Sequence, residues 1–257
     1  MAVFRNAQGY MLSPAPVNVG IGATVTAAST TQVPVLLEDL IVASSAFDGT
    51  VSQIRVAGQS IFASSGTVPT NVFSAVAQTE GYRSISIPIN QQHQLSVDFV
   101  GGAAAANYSF ACGTTPIPQD AVVPTDMIGS ALSYVAGFDG GFTNIAAGAT
   151  ATLTMTILRP VVLGRLVLCL DTDPDSINGL ADVNINSILV NNIELKSGDA
   201  ASSIPAQVAA VKSTLDQDLL LAYPAELNST VSVQITNNTA GPINIGGAIF
   251  CMPDLRS

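Results

Sequence analysis

The sequence predicts an all-β protein made of two tandem, homologous β-sandwiches of the jelly-roll kind, a double jelly-roll. Three observations predict it. A set of phrases recurs in one order along the chain. Short segments rich in Val, Ile, Thr and Ser alternate apolar with polar residues between turn dipeptides. Helical candidates are confined to the short stretches after Pro69 and Pro205, where proline suits a first turn.

The repeat comes first, because missing one misreads the fold. GATVTAASTTQVPVLLEDLIV (22–42) is echoed by GATATLTMTILRPVVLGRLVL (148–168), so that Gly22, Ala23, Thr24, Thr26, Pro34, Val35, Leu37 and Leu40 recur 126 residues later. SQIRVAGQSI (52–61) then resembles NSILVNNIEL (186–195), and PTNVFSAV (69–76) resembles PAQVAAVK (205–212). IPINQQHQLSVDFV (87–100) parallels YPAELNSTVSVQIT (223–236) at an offset of 136. Last, NYSFAC (107–112) parallels GGAIFC (246–251), which sets Cys112 level with Cys251 at an offset of 139. An order that never changes, with an offset drifting slowly upward, is the mark of a duplicated unit with small loop insertions. The expected organisation is an arm over 1–13, a first sandwich over 14–117, a Pro- and Gly-rich linker over 118–139 and a second sandwich over 140–257.

Within each unit the strands follow in turn. ATVTAAST, VSQIRVAG, SISIPI and QLSVDFV read as strands of the first, with Asp48-Gly49, Ala57-Gly58 and Gly101-Gly102 as its turns. Asn191-Asn192 and Asn237-Asn238 punctuate the second. Alternation puts Leu95, Val97 and Phe99 on one face, and Val231, Val233 and Ile235 on the corresponding face. One apolar side per sheet requires a second sheet to cover it, which is the sandwich solution. A jelly roll suits six to eight short strands per unit, whereas an immunoglobulin-type sandwich is disfavoured by the absence of Trp and of a paired Cys spacing.

Composition bounds the function. The chain has 257 residues, 48% hydrophobic and only 10% charged, against about 25% charged in a typical soluble domain. No window holds the roughly 18 to 20 apolar residues that span a bilayer, so a soluble, globular protein is expected. MAVFRNAQGYML has no apolar core or cleavage-site pattern, so no secretory signal is expected. Three cysteines at wide spacing suggest buried thiols, not a disulfide framework. A net charge of −10 with no basic cluster argues against specific nucleic-acid binding.

The search for catalytic chemistry returns little, and no enzyme, cofactor or metal is expected. The single histidine, His93, lies in polar NQQHQ, and its counterpart in the second unit is Ser229. Cys112 and Cys251 each end an apolar strand, which favours packing over nucleophilic work. DTDPDSING (171–179) offers Asp171, Asp173 and Asp175 in the alternation of calcium loops. It lacks the glycine at the sixth position and the closing glutamate, so it is a weak calcium candidate beside the plain reading of a solvated turn. Glu38-Asp39 become Gly164-Arg165 in the second unit, which reads as a surface position. A duplicated, charge-poor sandwich without chemistry is suited to presenting surface, because flat faces of Ala, Ser, Thr and Asn pack against copies without burying unpaired charge.

The tandem sandwiches, the short leader MAVFRNAQGYMLSPAPV running into IGATVTA, and the strand-turn-strand phrase SQIRVAGQSI repeated as NSILVNNIEL together resemble the double jelly-roll major capsid proteins of tailless icosahedral, often membrane-containing, phages and viruses. The resemblance implies a homotrimer with pseudo-sixfold symmetry that tiles a capsid lattice, a virion location after assembly in the host cytoplasm, and contacts with penton or minor capsid proteins and an internal membrane. It also implies an arm that faces inward. Here the arm has Arg5 but no basic run, so Phe4, Arg5, Tyr10, Met11 and Leu12 would meet a membrane or neighbouring subunits. The alternatives are a tandem-sandwich adhesin or carbohydrate-binding module, and a minor capsid, decoration or fibre protein. Aromatics at only 5% with no Trp tell against sugar platforms.

Overall fold

A computed structural model describes residues 10–74, 84–117, 134–172, 178–197, 203–211 and 219–254. Ten strands come from the first part of the chain: β1 Tyr10–Leu12, β2 Val17–Val19, β3 Thr24–Thr30, β4 Val35–Ser44, β5 Thr50–Val56, β6 Gln59–Ser60, β7 Val68–Pro69, β8 Ser84–Ile89, β9 Gln94–Val100 and β10 Ala106–Pro116. Nine follow: β11 Tyr134–Ile145, β12 Thr150–Thr156, β13 Val161–Leu170, β14 Val183–Val190, β15 Ile193–Ser197, β16 Ile204–Pro205, β17 Leu220–Ala225, β18 Thr230–Asn237 and β19 Ile243–Pro253. The two helical candidates are single 3-10 turns, Thr70–Phe73 and Ala206–Ala209, each opened by the expected proline.

The strands form four antiparallel sheets. One sandwich pairs β1-β10-β4-β8 (with β2 also on β10) against β3-β9-β5-β6 (with β7 on β5). The other pairs β11-β19-β13-β17 against β12-β18-β14-β15 (with β16 on β14). In both, the chain alternates between the two sheets in the same sequence, which is jelly-roll connectivity. The predicted double jelly-roll is therefore the fold.

The repeat holds at the level of single residue pairs. β3 meets β9 from Thr24 opposite Val100 to Thr30 opposite Gln94, and β12 meets β18 from Thr150 opposite Thr236 to Thr156 opposite Thr230. Asn18 donates to the Asn107 amide oxygen at 3.0 Å, and Asn144 donates to Asn244 at 2.8 Å in the same place of the second sandwich. Both β5–β6 and β14–β15 turn through two residues of positive φ, Ala57-Gly58 and Asn191-Asn192. That is the turn whose twist matches the flanking strands.

Leu95, Val97 and Phe99 point inward, as do Val231, Val233 and Ile235, all fully buried. Each such side chain contributes about 1.5–3 kcal/mol of apolar burial. Phe99 stacks on Tyr108 at 5.4 Å between centroids, tying one sheet of the first sandwich to the other.

Three details differ from the sequence reading. In the ladders, Cys112 lies opposite Leu40, whereas Cys251 lies opposite Leu163, the counterpart of Leu37. The residue level with Cys251 is thus Thr114, and Pro116 matches Pro253. A slip of two keeps a side chain on the same face, so the phrases FAC and IFC look aligned although the register sets them apart. Second, Arg165 is buried at 6% exposure. A bulge between Leu163 and Arg165 in the β13–β17 and β13–β19 ladders re-aims the strand at that point. Its counterpart is the bulge between Leu37 and Asp39. Third, β11 opens at Tyr134, ahead of the boundary placed at 140, and β1 lies inside the segment read as an arm.

Candidate assembly interface

Among the described residues, the two sandwiches are hydrogen-bonded through one stretch of chain. After β6 the residues from Ile61 to Thr67 leave the first sandwich and lie along the second as a strap, before β7 returns to β5. Val135 N–H donates to the Ile61 carbonyl at 3.0 Å and Ala63 N–H donates back to the Val135 carbonyl at 2.8 Å. Leu158 N–H donates to the Ala63 carbonyl at 2.7 Å, and Ser65 N–H to the Thr156 carbonyl at 3.3 Å. Ser64 Oγ donates to the Gly137 carbonyl at 2.8 Å, and Thr67 N–H to the Phe138 carbonyl at 3.2 Å. The strap covers the outer edge of β11, which would otherwise present unpaired backbone groups.

The local sequence explains the path. FASSGT carries small side chains, which allow backbone to approach backbone. A Cβ on Gly66 would lie 2.1 Å from the Gly137 carbonyl oxygen, and one on Gly137 would lie 2.3 Å from the Thr67 carbonyl oxygen. The glycines of AGFDGG, which suggested a connector, are instead placed where the strap comes close. Further on, the buried Asn71 amide donates to the Phe47 carbonyl at 3.1 Å and to the Leu170 carbonyl at 2.9 Å, one from each sandwich. Phe73 meets Phe250 edge-to-face at 6.3 Å. Sequence reasoning missed this seam; its trace was the run Ala63-Ser64-Ser65-Gly66 directly after a hairpin.

The predicted site residues fall as follows. Phe4 and Arg5 lie outside the described residues. Tyr10, Met11 and Leu12 form β1, opposite Thr114, Gly113 and Cys112. Leu12 packs against the protein's own core. The Asp171 carboxylate accepts from the Asn244 amide at 2.7 Å, and Asp173 and Asp175 lie outside the described residues. Among the described residues no three His, Cys, Asp or Glu side chains gather where a metal ion would be held.

His93 sits in a turn and offers its carbonyl to Thr31 N–H at 3.0 Å. Cys112, Cys169 and Cys251 are free thiols, all buried. Burial pushes the Cys251 thiol up to about 12 and raises Cys169 further, with the Asp171 charge adding to the effect. A thiol held protonated is a poor nucleophile. Asp98 is the most engaged carboxylate: Thr26 Oγ1 donates to it at 2.7 Å and Arg55 pairs with it at 2.7 Å. No helix among the described residues is long and apolar enough to cross a membrane.

No protein-family profile matches the chain, and no curated protein matches it. Among solved structures, it is similar to the major capsid protein P2 from bacteriophage PM2. The two share 11% identity at a TM-score of 0.41, over 96% of this chain and 99% of that one.

Proposed function

We propose that this chain is a major capsid protein of a tailless icosahedral phage or virus, assembling as homotrimers whose six sandwiches stand in a pseudo-hexagonal ring. The observation that carries the reading is the seam between two sandwiches of one connectivity and one register. A single chain thereby presents two nearly equivalent units side by side, their strands lying between Tyr10 and Pro116 and between Tyr134 and Pro253. Three such chains supply six comparable units around an axis, which is what a hexagonal lattice position requires. The low charge supports the same reading, since close packing of copies then desolvates few ions.

Under this proposal the chain's main partner is itself. The residues before β1 face an internal membrane or neighbouring subunits, penton and minor capsid proteins close the shell, and the protein resides in the virion after assembly in the host cytoplasm. Size-exclusion chromatography with light scattering tests the proposal directly. A particle of three chain masses is expected, with shells or hexagonal sheets in electron micrographs of concentrated protein. A monomer that binds glycans would replace the proposal with an adhesin.

A further inference from the structure

The outward faces of β4–β10 and β13–β19 are equivalent in register, yet they differ in burial. On the second sandwich, Val167 lies opposite Ala248 and Cys169 opposite Gly246, all turned away from the core and all buried. The first sandwich lies over them. Pro69 sits above Gly246, where an added Cβ would stand 2.8 Å from its ring. The turn Thr70–Phe73 then packs on β13 and brings Phe73 to Phe250. On the first sandwich the same positions are held by Ile41 opposite Ala111 and Ala43 opposite Ser109. There Ala43 is exposed and the other three are half-buried.

The covering turn recurs as well. Val51 opposite Val68 and Thr50 opposite Pro69 are matched by Ile185 opposite Ile204 and Asn184 opposite Pro205. The turn Ala206–Ala209 therefore stands where Thr70–Phe73 stands. Residues Pro69 to Phe73 are all buried, whereas Pro205 is exposed and Gln207 and Val208 are half-buried. Turn and face thus both occur a second time, each with its fitting surface accessible.

We infer that the turn Ala206–Ala209, led by Pro205, seats on the outward face of β4 and β10 of a second copy of the chain. The face is made for close approach. Ile41, Ala43, Ser109, Ala111 and Gly113 carry no charge, although outward positions of a solvated antiparallel sheet are ordinarily polar. Glycine within a strand marks a place where another backbone comes near. The two sides also change size together: the pair Phe73 and Phe250 becomes Ala209 and Gly113. Gln207 keeps an amide at the place of Asn71, which within the chain bridges to the Leu170 carbonyl. A contact of turn to sheet face is head-to-tail, and such contacts close into a ring when their rotation divides the circle. The inference rests on the trimer reading: three chains make six such contacts, alternately within a chain and between chains.

Two full-length variants test it. Ala43 is exposed in the single chain, so Ala43→Arg leaves the core alone but forces an unpaired charge beneath the incoming turn, which is costly. The variant is expected to keep its far-ultraviolet dichroism while its mass falls from three chains to one. The second variant copies the contact of Pro69 with Gly246, whose counterparts are Pro205 and Ser109. The pair Pro205→Cys with Ser109→Cys, oxidised and run on a non-reducing denaturing gel, is expected to give covalent dimers and trimers that neither single variant gives. The native thiols are buried and stay out of the reaction. The cross-link decides the matter if Ala43→Arg does not fold. A trimeric Ala43→Arg protein, or a pair that forms no disulfide between chains, overturns the inference and leaves the trimer reading standing. A disulfide formed within one chain also overturns it. A monomeric unmodified protein overturns the trimer reading itself, and the inference with it.

Discussion

Asn71 is the side chain on which the seam most depends. Its amide satisfies one carbonyl from each sandwich in a buried setting, and an orphaned buried polar group costs about 1–3 kcal/mol. Asn71→Ala is expected to lower stability by about that amount in a thermal melt; an unchanged melting temperature would show that the bridge contributes nothing. The buried thiols give a second expectation. In the folded protein Cys251 holds its proton up to about 12, whereas a free thiol releases it near 9.0. The unfolded chain therefore loses the proton first, and the stability this provides is intact below 9.0 and declines as pH rises toward 12. In the native protein at pH 8, none of the three cysteines is expected to react with a maleimide, and all three should react after denaturation. Residue-scale legibility in the sequence was uneven. Alternation placed Leu95, Val97 and Phe99 inward correctly, because period two fixes the face. The pairing of Cys112 with Cys251 failed for the same reason, since a slip of two leaves the face unchanged.

At the scale of elements, the strap between β6 and β7 has no regular structure of its own, yet it hydrogen-bonds to the second sandwich at several points. Its closest approach is at Gly66, where a methyl group would collide with the carbonyl of Gly137. Backbone cannot yield as a flexible side chain does, so Gly66→Ala is expected to cost about 1–3 kcal/mol. Calorimetry checks this, and the loss should be absent for Gly58→Ser, at a hairpin with open space around it, except for the strain of its positive φ. Strands, hairpins and the two proline-led turns were legible because each is encoded locally, by alternation, by Asn-Asn or Ala-Gly, or by Pro69 and Pro205. The strap and the start of β11 were not. Their encoding is relational: small residues at Ala63–Gly66 make sense only beside Gly137, more than seventy positions away in the chain.

For the molecule as a whole, the duplication was fully legible, because two long matched phrases at constant offset need no structure to be seen. What copies of the chain do together is proposed from the resemblance to capsid proteins, since no residue constellation announces self-association. The net charge of −10 does give a whole-molecule expectation. Copies of an acidic protein repel, and that repulsion is screened as the Debye length falls from about 30 Å at 0.01 M salt to about 10 Å at 0.1 M. The trimer fraction seen by analytical ultracentrifugation is expected to rise with salt over this range. A fraction that falls instead would point to association driven by attraction between opposite charges.

Among the described residues the strap passes from the earlier sandwich to the later one, and none passes the other way. A one-way contact contains no twofold axis, so it gives the molecule an arrow. Any closed circle drawn with such arrows runs clockwise from one side and anticlockwise from the other. A copy turned upside down has its arrow reversed, and no such copy is admitted to the circle. In the proposed trimer the two sides of the ring are thus distinguished by the course of seven residues, Ile61 to Thr67, before any loop or terminus is consulted.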